Sequence, residues 1–284
     1  MIIDGHVHIV PPSIVRDRAH YMAADRWFGI LHASPRARLV SAEELIHSMD
    51  DAEVDAALCF GFAFADNAIC RLCNDHVLEA AARWPSRLIP FAVVNPAEEA
   101  GLAEAERCLA AGAAGVGELM PDGQGFGLGD PSLEPLLALL QQHAAPLMLH
   151  ISELVGHQYA GKGTVGPLAA YTLAAAHPEL RLILSHWGGG LALYELMPKA
   201  RPSLANVWYD TAASPLLYED RIFSEVSLWA PTKIVFGTDY PLLSQKRMVA
   251  RVRALGLNQE QEEAILATNL LRALGRLQAD EVAP

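Results

Sequence analysis

Three features of the sequence predict an α/β chain folded as a (β/α)8 TIM barrel: eight short apolar runs, amphipathic stretches between them, and a length of 284 residues. The runs lie at 2–8, 54–60, 88–94, 115–119, 146–150, 180–186, 206–210 and 233–239. They are continuously apolar rather than alternating, as strands are when helices cover both faces of a sheet. Eight strand–helix units in a chain of this size suit a fold that typically takes about 250 residues. A doubly wound sheet is the competing architecture. It calls for a Gly-x-Gly-x-x-Gly turn after an early strand, and none follows the run at 2–8.

Taken in order, the first strand runs into an irregular stretch at 10–40 that contains Pro11, Pro12, Trp27, Phe28 and Pro35. A structureless insertion of that length is usually functional. In a barrel, residues 11–40 would sit over the C-terminal mouth, either as a lid or as a partner surface. Ser41-Ala-Glu-Glu44 has capping-box spacing and starts the first helix. Helical patterns follow at 67–84, 98–111, 132–143, 165–177, 191–200, 223–229 and 243–255, each between two strands or after the eighth. A last helix begins at 258, within a C-terminal segment 258–284 of helix and tail. With no Ser/Gly/Pro linker tract and no repeat, residues 1–284 read as one domain.

Composition excludes several classes. A net charge of −12 opposes a nucleic-acid surface, which needs clustered Lys and Arg. At 52% hydrophobic and 19% charged, the chain is too apolar for disorder. The most apolar stretches, 133–151 and 168–176, are interrupted by Glu134, Gln141, Gln142 and His143 or are short, so no membrane span is expected. No cationic stretch precedes an apolar segment at the start, and a cytoplasmic location is expected. The four cysteines include Cys70-x-x-Cys73, but no second pair follows at zinc-ribbon spacing. Buried reduced thiols are expected.

The functional signal is positional. Apolar runs end in Asp4-Gly-His6-Val-His8, Leu147-Met-Leu-His150, Leu182-Ile-Leu-Ser-His186 and Ile234-Val-Phe-Gly-Thr-Asp239, and Glu118 falls near the end of the fourth. His6 and His8, two apart on a strand, project to one face. In a barrel the C-terminal strand ends converge on one mouth. Any one of these residues alone reads as a hydrogen-bonded core or rim residue. The ordering of His-x-His on strand one, His on five and six and Asp on eight points instead to a shared site for a divalent metal. Imidazoles with carboxylates suit zinc first, with manganese or iron as alternatives, rather than calcium.

As a set, Asp4-Gly-His-Val-His8, His186-Trp-Gly-Gly-Gly190 and Gly237-Thr-Asp-Tyr-Pro241 resemble the amidohydrolase superfamily over essentially the whole chain. The resemblance is to its amidohydrolase 2 branch, which includes aminocarboxymuconate-semialdehyde decarboxylase and related decarboxylases and hydrolases. It implies that His6, His8 and His150 ligate the metal. Asp239 would be a further ligand able to take a proton from bound water, and His186 would orient that water or ligate a second ion. Glu118 departs from the decarboxylase pattern and is similar to the TatD-like branch, where a Glu at the end of strand four bridges two ions. One or two ions are therefore expected.

The primary expectation is a hydrolase with Asp239 and His186 as catalytic residues, attacking an amide, lactone, ester or ring C–N bond of a small acidic molecule. The alternative is non-oxidative decarboxylation of an unsaturated or aromatic acid, and a third reading is a metal-binding barrel without catalysis. Serine-hydrolase chemistry lacks its Gly-x-Ser-x-Gly elbow. For substrate binding, the loop after strand five offers His157, Tyr159 and Lys162, and Trp187 and Tyr240 follow two ligand candidates. Rim packing would explain those two aromatics as well. Asp210 is expected to touch substrate or a neighbouring N–H, and Glu153 to support a ligand histidine. His20, His32, His47, His76, His143 and His177 read as structural or surface residues. The expected partner is a small molecule, with self-association into a homodimer left open.

Overall fold

The computed structural model describes residues 1–277. Eight parallel strands pair in sequence order: β1 (Ile3–His8), β2 (Ala56–Phe60), β3 (Leu88–Ala92), β4 (Gly115–Leu119), β5 (Leu147–Leu149), β6 (Leu182–Leu184), β7 (Val207–Asp210) and β8 (Ile234–Val235). The sheet closes on itself. The Gly5 N–H donates to the Phe236 carbonyl at 2.7 Å, that of His8 to Tyr240 at 2.8 Å and that of Asp239 to His6 at 3.0 Å. Gly5 is needed at this seam: a Cβ there would lie 2.6 Å from Val235 Cγ1 and 2.9 Å from the Phe236 carbonyl oxygen. The structure is the (β/α)8 barrel that the sequence predicts.

Strand alternation builds two hydrophobic layers. Leu58, Ile89, Met148, Ile183 and Val235 pack in one cluster, while their neighbours Leu147, Leu149, Leu182, Leu184 and Ile234 pack in the other. Side chains that alternate along a strand face opposite sides of the sheet, so the first set fills the barrel and the second meets the helices. This core holds the strand ends fixed. Cys59, Cys70, Cys73 and Cys108 are buried and unpaired, as expected. Among the described residues no helix is long and apolar enough to cross a membrane.

Two expectations need correction. The stretch at 10–40 contains the helices Pro12–Arg16, Arg18–Ala24 and Arg26–Leu31. Each is too short to show helical periodicity, and local chemistry sets them instead. Pro12 starts the first helix, where its missing N–H costs nothing. Asp25 caps the third by accepting the Phe28 N–H at 2.8 Å. The helix expected at 191–200 is replaced by two 3-10 turns, Leu191–Leu196 and Arg201–Leu204. Gly190 enters with φ 99°, and Pro198 and Pro202 remove the N–H groups that a continuous helix would use. The last helix expected from 258 does form, capped by Asn258 and running from Gln259 to Ala273 with a π turn at Ala264–Thr268. The tail at 278–284 lies outside the described residues. The capping box at Ser41 does form, starting the helix Ala42–Ala52.

Candidate metal centre and cleft

Six side chains from five strand ends converge at the C-terminal mouth. His6 and His8 come from β1, Glu118 from β4, His150 and His186 from just past β5 and β6, and Asp239 from beyond β8. Register shifts interrupt β1 between Asp4 and Val7 and β4 between Val116 and Leu119, the two places where a strand carries ligand candidates. Such irregularities re-aim side chains. His186 and Asp239 take left-handed φ values of 58° and 60°, which cost a non-glycine residue about 1–2 kcal/mol. Hydrogen bonds offset that cost. The His186 N–H donates to Asp210 Oδ1 at 2.9 Å, and the Asp239 N–H donates to the His6 carbonyl.

The donor atoms fall into two groups that share Glu118. In the first, His6 Nε2 lies 3.2 Å from His8 Nε2 and 3.7 Å from Asp239 Oδ1, and His8 Nε2 lies 3.5 Å from the same oxygen. Glu118 Oε2 joins them, 3.6 Å from His6 and 3.8 Å from His8. In the second, Glu118 Oε1 lies 3.2 Å from His150 Nδ1 and 3.7 Å from His186 Nε2, and those two nitrogens are 3.2 Å apart. A four-coordinate ion with bonds of about 2.1 Å holds its ligand atoms about 3.4 Å apart, so these spacings fit a cation. The other ring nitrogens are tied back: His6 Nδ1 to Asp210 Oδ2 at 2.8 Å, His8 Nδ1 to the Gly61 carbonyl at 3.3 Å and His186 Nδ1 to the Ala212 carbonyl at 3.0 Å. That leaves each Nε2 facing the centre.

Charge makes the same case. Glu118 and Asp210 are fully buried, Asp239 is largely so, and among the described residues no Lys or Arg lies within ion-pair distance of any of them. Burial alone would lower the His6 pKa, but Asp210, Glu118 and Asp239 outweigh it and hold it at about 10 in the protein alone. Asp239 sits at about 2: burial would raise it, and the His8 hydrogen bond with the charges of His6, His8 and His186 prevails. Glu118 is likewise held well below its ordinary value against its own burial by His6, His150 and His186. A bound cation would do the work of the His6 proton, which is why metal uptake at such sites releases protons.

Above this centre is a cleft of about 200 Å³. Val10, Phe28, Leu31, Leu39, Phe62 and Met120 supply apolar walls, and Arg36, Arg38 and His32 add polar groups from the 10–40 segment. His8, Glu118, His150, His186 and Asp239 form its floor. The volume lies below the roughly 300–1,000 Å³ of sites for drug-sized ligands and suits a single ring or a short chain. Arg18 braces the outer wall, donating to the carbonyls of Ala37 at 2.8 Å, Ser34 at 2.9 Å and His32.

The amidohydrolase family profile matches residues 3–276. This chain belongs to the amidohydrolase family. The 2-amino-3-carboxymuconate-6-semialdehyde decarboxylase of Dictyostelium discoideum is 26% identical over 239 residues, covering 71% of this chain and 65% of that protein. A solved 5-carboxyvanillate decarboxylase from Sphingomonas paucimobilis superposes with a TM-score of 0.79 at 15% identity, covering 98% of this chain and 99% of that one. The 5-carboxyvanillate decarboxylase of Novosphingobium aromaticivorans, solved with manganese and 4-hydroxy-3-methoxy-5-nitrobenzoic acid, gives 0.77 at 17% identity over 97% and 96% of the two chains.

In this amidohydrolase the expected ligand set His6, His8, Glu118, His150 and Asp239 is brought together, with His186 beside it. The expected substrate residues are not. Lys162 Nζ lies 3.2 Å from Glu153 Oε1 and donates to the carbonyls of Val155 and His157, and the Tyr159 hydroxyl donates to Glu153 Oε2 at 2.9 Å. Glu153 thus neutralises its own loop instead of supporting a histidine, a place taken by Ser152, 3.3 Å from His150 Nε2. His157 is exposed, and of residues 157–163 the cleft touches Gly161. Trp187 is fully buried, donating to Ser214 Oγ at 2.9 Å and packing on Phe223. Tyr240 belongs to the β1–β8 seam, and the left-handed turn at Asp239 sends its ring into the outer core. Arg36 and Arg38 had no signal in the sequence, since nothing local tells which exposed cation faces a cleft, and His32, read there as structural or surface, lines the cleft instead.

Proposed function

We propose that this amidohydrolase is a divalent-cation-dependent, non-oxidative decarboxylase of a small aromatic or unsaturated carboxylic acid. One observation carries the reading: a small, mostly apolar cleft with a cation-binding floor and arginines at its outer wall, which matches a flat acid in size and charge. The named relatives, all decarboxylases of such acids, support it. A cation held by His6, His8 and Asp239 would supply a fixed positive charge and Lewis-acid polarisation for an acid or hydroxyl oxygen of the substrate. Manganese, present in the Novosphingobium protein, and zinc both suit these donors.

The chain's own residues do the rest. Phe28, Phe62 and Met120 pack against the ring and exclude water, and Arg36 or Arg38 pairs with an outer anionic group. The carboxylate leaves as carbon dioxide, and the carbon that bore it takes up one proton. Asp239 and His186, on either side of the floor, are the groups placed to hold that proton. The same walls support the lid reading of 11–40 over the partner-surface one.

A second reading, hydrolysis with two ions that the two donor groups would hold, is favoured by one specific feature: Glu118 Oε1 faces one donor group and Oε2 the other. Metal content per chain, by elemental mass spectrometry on protein purified without chelator, separates the two. The decarboxylase reading expects close to one ion, unchanged in Glu118→Gln, and chelator-sensitive carbon dioxide release from a panel of hydroxybenzoic and muconic-type acids. Two ions falling to one in Glu118→Gln, with no release from any acid, would overturn it in favour of hydrolysis.

A further inference from the structure

We infer that Asp210, at the end of β7, is the positioning residue of the metal centre, acting by fixing which nitrogen of His6 faces the ion. This rests on the cation-binding part of the reading above. Asp210 is fully buried and is not itself a candidate ligand: each of its oxygens is already engaged. Oδ1 accepts two backbone N–H groups, from His186 at 2.9 Å and from Ala212 at 3.0 Å. Oδ2 accepts the His6 Nδ1–H at 2.8 Å. One carboxylate therefore holds the proton on Nδ1, so that Nε2 is the nitrogen whose proton a cation would displace. It also anchors the left-handed backbone that aims His186 at the second donor group. Residues 204 positions apart in sequence are coupled through it.

The isosteric variant faces an unusual demand. In Asp210→Asn, two backbone donors outvote one imidazole, so the amide oxygen stays on the His186 and Ala212 N–H groups. The amide NH2 then faces His6 Nδ1, which must become an acceptor. The proton moves to Nε2, where it blocks the ion. Asp210→Ala removes that opposition, since His6 Nδ1–H can bond to water, but leaves two buried N–H groups without their acceptor. The gentler substitution for the fold is thus the harsher one for the metal.

The test measures zinc and manganese affinity by chelator competition, with thermal melting of the metal-free protein, for wild type and both variants. Expected is a metal affinity about 100-fold weaker in Asp210→Asn and about 10-fold weaker in Asp210→Ala. Melting should run in the reverse order, with Asn near wild type and Ala lower by about 5 °C. A purely structural role predicts Ala to be worse in both measurements, and that result, or wild-type affinity in Asn, would overturn the inference. Nitrogen-15 shifts of the His6 ring in the metal-free protein judge it independently of any ion. Nδ1 should carry a proton in wild type and in Ala but not in Asn, and an unchanged ring in Asn would overturn it. Failure of wild type to bind either ion would sink the cation reading and leave the ring measurement to decide this one.

Discussion

Two loops flank the mouth of the barrel, and both carry cations, yet only one presents them to the cleft. The loop after β5 holds Lys162 with its side chain 4% exposed, paired to Glu153 and bonded to two carbonyls of its own loop. The segment after β1 holds Arg36 and Arg38 on the cleft wall, with Arg38 56% exposed and 3.6 Å from Glu44 on the solvent side. A buried cation needs its counter-charge inside the same structure, whereas an exposed one keeps its charge for a ligand. What distinguishes the loops is the carboxylate each cation finds nearby rather than the cation itself.

The floor they share should show the largest effect. Asp239→Asn is expected to lower kcat by about 10²–10⁴-fold with little change in melting temperature, checked by carbon dioxide release and circular dichroism. Chelation should abolish turnover in wild type, and added manganese or zinc should restore it. Retained activity in either experiment would remove the basis for comparing the loops at all.

Arg36→Gln and Arg38→Gln divide the loops directly. Loss of a charge-assisted contact worth about 1.5–3 kcal/mol should raise KM about 10–100-fold in at least one of them, with kcat nearly unchanged. Lys162→Gln should leave KM within about twofold and instead cost about 1.5–3 kcal/mol of stability, because Glu153 loses its partner. A Lys162 variant with a large KM effect and normal melting would reverse the comparison.

The smallest effect is pH-dependent. Burial pushes His32, on the Arg-bearing segment, down to about 4, with Arg18 and His8 adding to the shift against the hydrogen bond to the Phe28 carbonyl. The folded chain therefore binds fewer protons here than the unfolded one between the ordinary value of 6.5 and about 4. Stability from this group is complete above that window and is lost as pH falls through it. Denaturant midpoints measured at pH 7, 5.5 and 4 should fall less steeply in His32→Gln than in wild type.

Much of the centre was legible because it is local. His-x-His on β1 and a ligand residue at the end of three later runs need only strand periodicity and the rule that barrel strand ends meet. Asp210 was legible as a strand-end carboxylate but not as the partner of His6, since that bond spans the barrel. Trp187 and Tyr240 looked like cleft walls from their neighbours in sequence, but positive φ at His186, Trp187 and Asp239 turned the chain between them and the cleft.

By itself, the sequence determined the number of strands, their order and the residues that meet at their ends. Each of these follows from short-range patterns of apolar and polar residues and from covalent order. Only the tertiary structure decided which cations are neutralised within their own loop, which face the cleft, and which carboxylate orients His6. Those outcomes depend on distances of a few ångströms between residues far apart in the chain, and Coulomb energies and hydrogen bonds are settled at that scale.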